Sequence, residues 1–139
     1  MAKINFASGV DDAGLAVMMA DIIKGNLKNN PQREADFNAL KGNIYIKAVD
    51  SDVDMTMAFN KGSLTVHAGN VGNPKIGIST DSLTLLDLAN IKIMFGVPFY
   101  FDKTGLSVVM KLLTLKLKIK GLMKHPIMLT RFTKLMSVK

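Results

Sequence analysis

At Gly42 the spacing of apolar residues changes from about 3.6 to 2, and that change limits what this chain can build. Beyond it Ile44, Ile46 and Ala48 alternate with Tyr45 and Lys47. Val53, Met55, Met57 and Phe59 then alternate with Asp54, Thr56 and Ala58, and Leu64, Val66 and Ala68 with Thr65 and His67. Successive side chains of a strand point to opposite faces, so each run predicts a ribbon with one apolar and one wet face. Asn60-Lys61-Gly62-Ser63 reads as a tight turn, with Gly62 available for a positive φ. An antiparallel meander of this kind needs other elements to cover its apolar face.

The covering elements lie on either side of it. Asp11 or Asp12 can cap a helix beginning near Ala13, in which Leu15, Met18, Met19 and Ile22 keep a helical period until Asn29-Asn30-Pro31. Pro31 is placed to start one or two further helical turns. After the loop 68–74, Ile76 and Ile78 predict a fourth strand, and Thr80 or Asp81 caps a helix over 82–89 whose apolar side carries Leu83, Leu86 and Leu85. Residues 90–105 are apolar without a clear period, and 106–113 read as a third helix. Leu115, Leu117 and Ile119 alternate with Lys116, Lys118 and Lys120, a fifth strand whose lysines would blunt a sheet edge. Pro126 opens a last helix with the stripe Ile127, Met128, Phe132, Leu135 and Met136, while Arg131 and Lys134 face away. The expected fold is α+β: a five-stranded, mainly antiparallel sheet with helices on one face. A single domain is expected over 1–139, with a helical segment at 1–36 ahead of a core at 37–139.

Composition narrows the chemistry. No cysteine is present, which removes disulfides, thiolate metal sites and a cysteine nucleophile. Its two histidines stand apart: His67 on a predicted wet strand face and His125 at a helix start, both read as surface or capping residues. Asp50, Asp52 and Asp54 lack the glycine and the glutamate of a calcium loop and read as a charged turn. The glycines of 68–74 lack the Lys-Ser/Thr of a phosphate loop. No catalytic residue, metal ligand or cofactor site is assigned, and the expected protein is not an enzyme. Apolar stretches are too short to cross a bilayer, which takes roughly 20 residues, and a cytoplasmic location is expected.

Charge is divided unevenly. Residues 103–139 carry nine of the 18 basic residues and none of the 11 acidic ones. That raises the prospect of contact with an anionic surface. No Phe or Tyr lies among the lysines of 116–120 to stack on bases, so no specific nucleic-acid partner is assigned. Ten methionines suit an apolar surface that adapts to varied contents, though they also fill ordinary cores.

Three segments, in this order, resemble the sterol-carrier-protein type 2 family in a stand-alone form. Residues 58–69 (AFNKGSLTVHAG) look like its hairpin, 78–89 (ISTDSLTLLDLA) like its strand leading into a short Leu-rich helix, and 117–121 (LKIKG) like its last strand. The likeness runs from about Phe37 to Met136. It implies an open-faced sandwich around an apolar tunnel and a non-catalytic lipid carrier. Departures from the family pattern, Asn90 after Ala89, Leu122 after Gly121 and a longer path between, fall where a ligand would sit. A fatty acid, fatty acyl-CoA or phospholipid is therefore expected ahead of a sterol.

The lipid wall is expected from Leu86, Ile91, Met94, Phe95, Phe99 and Phe101, then Leu106, Val109, Met110 and Leu113, with Met123, Met128, Phe132 and Met136 closing the end. Lys111, Lys124 and Arg131 are candidates for a headgroup or an anionic surface. Two alternatives stay open. One is an interaction module of the same fold, a homodimer or an accessory subunit, using 91–101 as its interface. The other is a peripheral binder of anionic membranes through the basic C-terminal helix.

Overall fold

The computed structural model describes residues 3–7, 14–87, 93–94, 97–98, 103–114, 117–121 and 123–137. Its first strand, β1 (Lys3–Phe6), is one the periodicity does not reveal. Helix α1 (Leu15–Asn29) and helix α2 (Arg33–Ala39) follow, then the meander β2 (Lys41–Ala48), β3 (Val53–Asn60) and β4 (Ser63–Ala68). β5 (Ile76–Thr80) leads into helix α3 (Ser82–Asp87). A small ribbon of β6 (Ile93–Met94) and β7 (Val97–Pro98) precedes helix α4 (Lys103–Leu113), strand β8 (Lys118–Lys120) and helix α5 (Pro126–Met136).

The sheet has six strands, not five, in the order β1-β4-β3-β2-β5-β8. The extra one is β1, which adds parallel to β4 with Lys3 opposite Ser63 and Phe6 opposite Val66. A four-residue strand whose partner lies some sixty residues away leaves little periodic signal. β2 has an antiparallel neighbour in β3 and a parallel one in β5, and β8 runs antiparallel to β5 at the far edge. β8 is shorter than the alternation predicts: Leu117 is buried but precedes the strand, and residues 115 and 116 lie outside the described residues. Lys118 and Lys120 are exposed on this edge strand.

Turn chemistry behaves as the residue types dictate. Lys61 and Gly62 both have positive φ, 43° and 100°, the arrangement of a type I′ hairpin. Between β2 and β3, Asp52 adopts φ 51°. The face read as wet is partly closed as well. Thr56 is buried; its Oγ1 donates to the Gly69 carbonyl (2.6 Å) and accepts from the Val71 N–H (3.0 Å), drawing the β4–β5 loop over β3. Ala68, expected on the apolar face, is exposed.

On the other face lies the core. Ile44, Ile46, Met55, Met57, Phe59, Leu64, Val66, Ile76 and Ile78 are all buried there. α1 packs with Ala16, Met19, Ala20 and Ile23; of the predicted stripe Met19 is buried, Leu15 and Ile22 are half-buried against the core, and Met18 is largely exposed. The stripe is turned toward its alanines, whose small side chains let helix and neighbours approach closely. Its start also differs, since Gly14 occupies the N-cap position without a side-chain hydrogen bond; residues 8–13 lie outside the described residues. α2 starts at Arg33, with Gln32 rather than Pro31 immediately before it.

α5 opens with Pro126 as expected and inserts Phe132, Leu135 and Met136 into the core. Phe132 meets Phe59 edge-on, and Phe59 meets Phe37 in the same way, each pair with centroids 6.1 Å apart. Asn26 of α1, itself buried, donates through Nδ2 to the Leu135 carbonyl at 2.8 Å. Ile127 does not belong to the apolar stripe, being 70% exposed. Arg131 and Lys134 do not face away either. Lys134 Nζ lies 3.2 Å and Arg131 Nη1 3.9 Å from the buried carboxylate of Asp36 on α2.

Candidate functional site

The α3–α4 pair is built on a polar footing. Asp81 Oδ1 accepts from the Thr84 N–H at 2.7 Å, capping α3 as the sequence predicts. Hydrogen bonds from the hydroxyl and the N–H of Thr84 hold the Asp81 carboxyl below its ordinary range. Asp50, in the β2–β3 turn, accepts from the Ser82 N–H (2.9 Å) and hydroxyl (3.0 Å), and the former lowers its pKa most. From α4, Lys111 Nζ reaches Thr84 Oγ1 at 2.9 Å and Asp87 at 3.6 Å. That candidate headgroup cation therefore already ties α4 to α3.

Above this footing the pair presents apolar side chains to solvent. Leu83 is 67% exposed and Leu85 is buried, the reverse of the emphasis in the predicted stripe. Leu86 is half-buried. On α4 Val108 points inward and Val109 is half-buried, whereas Leu106 and Met110 are 49% and 58% exposed. Leu106 and Met110 stand one helical turn apart, so they share a face.

The other expected wall residues divide. Phe132 and Met136 sit in the dry core, and Met128 is half-buried against it. Met123, which was to close the same end, is 91% exposed. Ile91, Phe95, Phe99 and Phe101 lie outside the described residues, and of Met94 and Leu113 only the backbone is described. The structure thus places Leu86 on α3 and Leu106, Val109 and Met110 on α4, two helices in contact, and Phe132 and Met136 in the core. Lys124 is exposed, and Arg131 leans on Asp36.

Open troughs surround the start of α5. One of about 790 Å³ is lined by Pro74, Lys75, Ile119, Lys120, Met123 and Lys124, among others. A second, about 380 Å³, runs between Asp36, Ile127, Thr130, Arg131 and Lys134; a third, about 180 Å³, lies between them beside Lys41 and His125. Asp36 is the feature sequence reasoning missed. Arg33, Asp36, Phe37 and Leu40 fall at i, i+3, i+4 and i+7, so an acid stands within the buried stripe of α2. Such a position demands a cation, and the chain's acid-free cationic part supplies it. Arg33 is buried on the same face, and its Nε has no hydrogen-bond partner among the described residues.

On the open face of the sheet the Tyr45 hydroxyl donates to Asp54 at 2.8 Å. Burial, helped by that bond and the carboxylate charge, raises its pKa. Among the described residues, no three His, Asp or Glu side chains converge as a metal site. None of the described helices is long and apolar enough to cross a membrane.

No family model matches the chain, and neither does any curated protein. Solved structures do. One is titled "UbiJ-SCP2 Ubiquinone synthesis protein"; it superposes with a TM-score of 0.59 over 88% of this chain and 91% of its own, at 11% identity. The chain therefore has a fold of the sterol-carrier-protein type 2 kind, as its three segments suggest.

Proposed function

We propose that this protein binds a lipid non-catalytically and carries or presents it, the acyl chain lying against the α3–α4 pair. The observation behind this reading is that Leu83 of α3 and Leu106 and Met110 of α4 are left exposed on two helices tied by polar bonds, in a fold shared with a lipid-carrier family. Leu86 and Val109, half-buried beside them, would be reached as the chain inserts. Phe132 and Met136 would support the site from the core rather than touch the lipid. Burial of an acyl chain contributes about 0.8 kcal/mol per CH₂. Ten or more carbons thus suffice for roughly micromolar binding once association costs are met. Fatty acid, acyl-CoA or phospholipid suits such a face better than a rigid sterol.

A second reading is favoured by the structural neighbour's title. An accessory subunit of quinone synthesis would hold a lipid for an enzyme rather than ferry it between membranes. Native mass spectrometry of the gently purified protein, with solvent extraction, tests the proposal. A defined mass excess that extracts as fatty acid or phospholipid is expected, and a prenylated quinone precursor would select the second reading. A clean apo mass, unchanged after incubation with fatty acids and phospholipids, would overturn lipid binding.

A further inference from the structure

From the knuckle that joins β8 to α5 we infer a docking site for the surface of an anionic phospholipid membrane. The knuckle is tightly held. His125 N–H donates to the Gly121 carbonyl at 2.8 Å, closing the turn. Gly121 adopts φ 84° against the backbone of Lys75, so close that any Cβ there would overlap the Lys75 carbonyl oxygen. On this support Met123 is 91% and Ile127 70% exposed, the two most exposed large apolar side chains among the described residues. They stand four residues apart, on either side of Pro126 and His125.

The surroundings say what these two side chains meet. Lys41, Lys75, Lys120, Lys124, Arg131 and Lys134 line the three troughs around the knuckle, against one carboxylate. That carboxylate, Asp36, is buried and already engaged by Arg131 and Lys134. Lys75 Nζ reaches the Lys41 carbonyl at 3.3 Å, and its aliphatic stem lies over Gly42, so its charge is carried at the rim. Apolar side chains that project from a ring of cations match an interface where anionic headgroups overlie acyl chains.

Other occupants fit less well. A second copy seated on the same patch would set six cations against six. Nucleic acid would use the lysines but leave Met123 and Ile127 without a role, and no Phe, Tyr or Trp among the described residues lines the troughs for stacking. The inference does not rest on lipid cargo, because docking requires only the outer surface.

Flotation of the full chain with vesicles tests it. Phosphatidylcholine vesicles containing phosphatidylglycerol should carry the protein upward, vesicles of phosphatidylcholine alone should not, and added salt should release it. Met123→Ser with Ile127→Ser should weaken binding at least about tenfold. Lys120→Ala with Lys124→Ala should weaken it about 25-fold. Both pairs sit on exposed side chains, and their thermal transitions should match the parent's. No flotation with the anionic vesicles, equal flotation with neutral ones, or unchanged binding by both double variants would each overturn the inference. A protein that floats but extracts without lipid would leave the docking site standing and remove the cargo.

Discussion

Helices cover the sheet in two unlike ways. α1, α2 and α5 lie over the apolar face with side chains that vanish into it: Met19, Ile23, Phe37, Phe132 and Leu135. Of their polar links, Asn26 on the Leu135 carbonyl is buried, and Asp36 is buried where Lys134, partly exposed, reaches it. Among their described apolar side chains, α3 and α4 put Leu85 and Val108 into the core and leave Leu83, Leu106 and Met110 outside. Of their links, Asp50 to Ser82 is exposed and Lys111 to Thr84 is part-buried. The first region is built to be filled by its own side chains. The second has apolar surface left over, which is what a site for a foreign acyl chain requires.

The sharpest way to break this contrast is to hollow the first region. Phe132→Ala should cost about 3–5 kcal/mol in urea unfolding, because Phe59 loses its edge-on partner in a site with no solvent to refill it. A loss under about 1 kcal/mol would mean that the core is already loose and the contrast false. Asp36→Ala comes next, at about 1–2 kcal/mol. Lys134 and Arg131 are partly exposed and can turn to water once the carboxylate is gone, which keeps the figure below that of a fully buried pair.

The second region should answer in a different currency. Leu106→Ser with Met110→Ser should leave unfolding within about 0.5 kcal/mol of the parent. The same pair should lower fatty-acid affinity about tenfold, read by displacement of a fluorescent fatty acid. A large loss of stability with intact binding would put those two side chains in the core and not at the site.

The smallest effect is that of acid. Asp50 and Asp81 are held below the ordinary aspartate range in the folded chain, so their contribution is complete above that range. It is lost as pH falls through their lowered values, beginning below about pH 4. Amide exchange at Ser82 and Thr84 should therefore rise on acidification, once corrected for its intrinsic pH dependence, before that at Ile46 or Met57. Simultaneous loss would join the two regions into one cooperative unit.

What the sequence makes legible follows from how local each signal is. β2 to β5 can be read from alternation and turn residues, since both operate within a few residues, and so can the Asp81 cap and the Pro126 start. β1 and the Asp36 cluster depend on partners far along the chain, Ser63 to Val66 for the one and Arg131 and Lys134 for the other. The stripe of α1 is read correctly at Met19 but off-centre elsewhere, because large apolar residues such as Met18 draw attention while Ala16 and Ala20 share the buried face. The same bias puts Phe132 and Met136 in a ligand wall, although a big apolar side chain on a helix serves a core equally well. Exposure of Met123 and Ile127 has no periodic signature at all.

α5 is translated after every strand of the sheet, yet Phe132, Leu135 and Met136 lie at the centre of what those strands enclose. Until α5 has emerged, the meander can pair and α1 and α2 can cover part of its apolar face, but the share that α5 closes stays open. The partly covered sheet must wait with Phe59 packed on Phe37 but still without Phe132, and the closing step falls when α5 docks. A factor that shields apolar surface during synthesis would meet this protein at that moment, and it would leave as α5 docks.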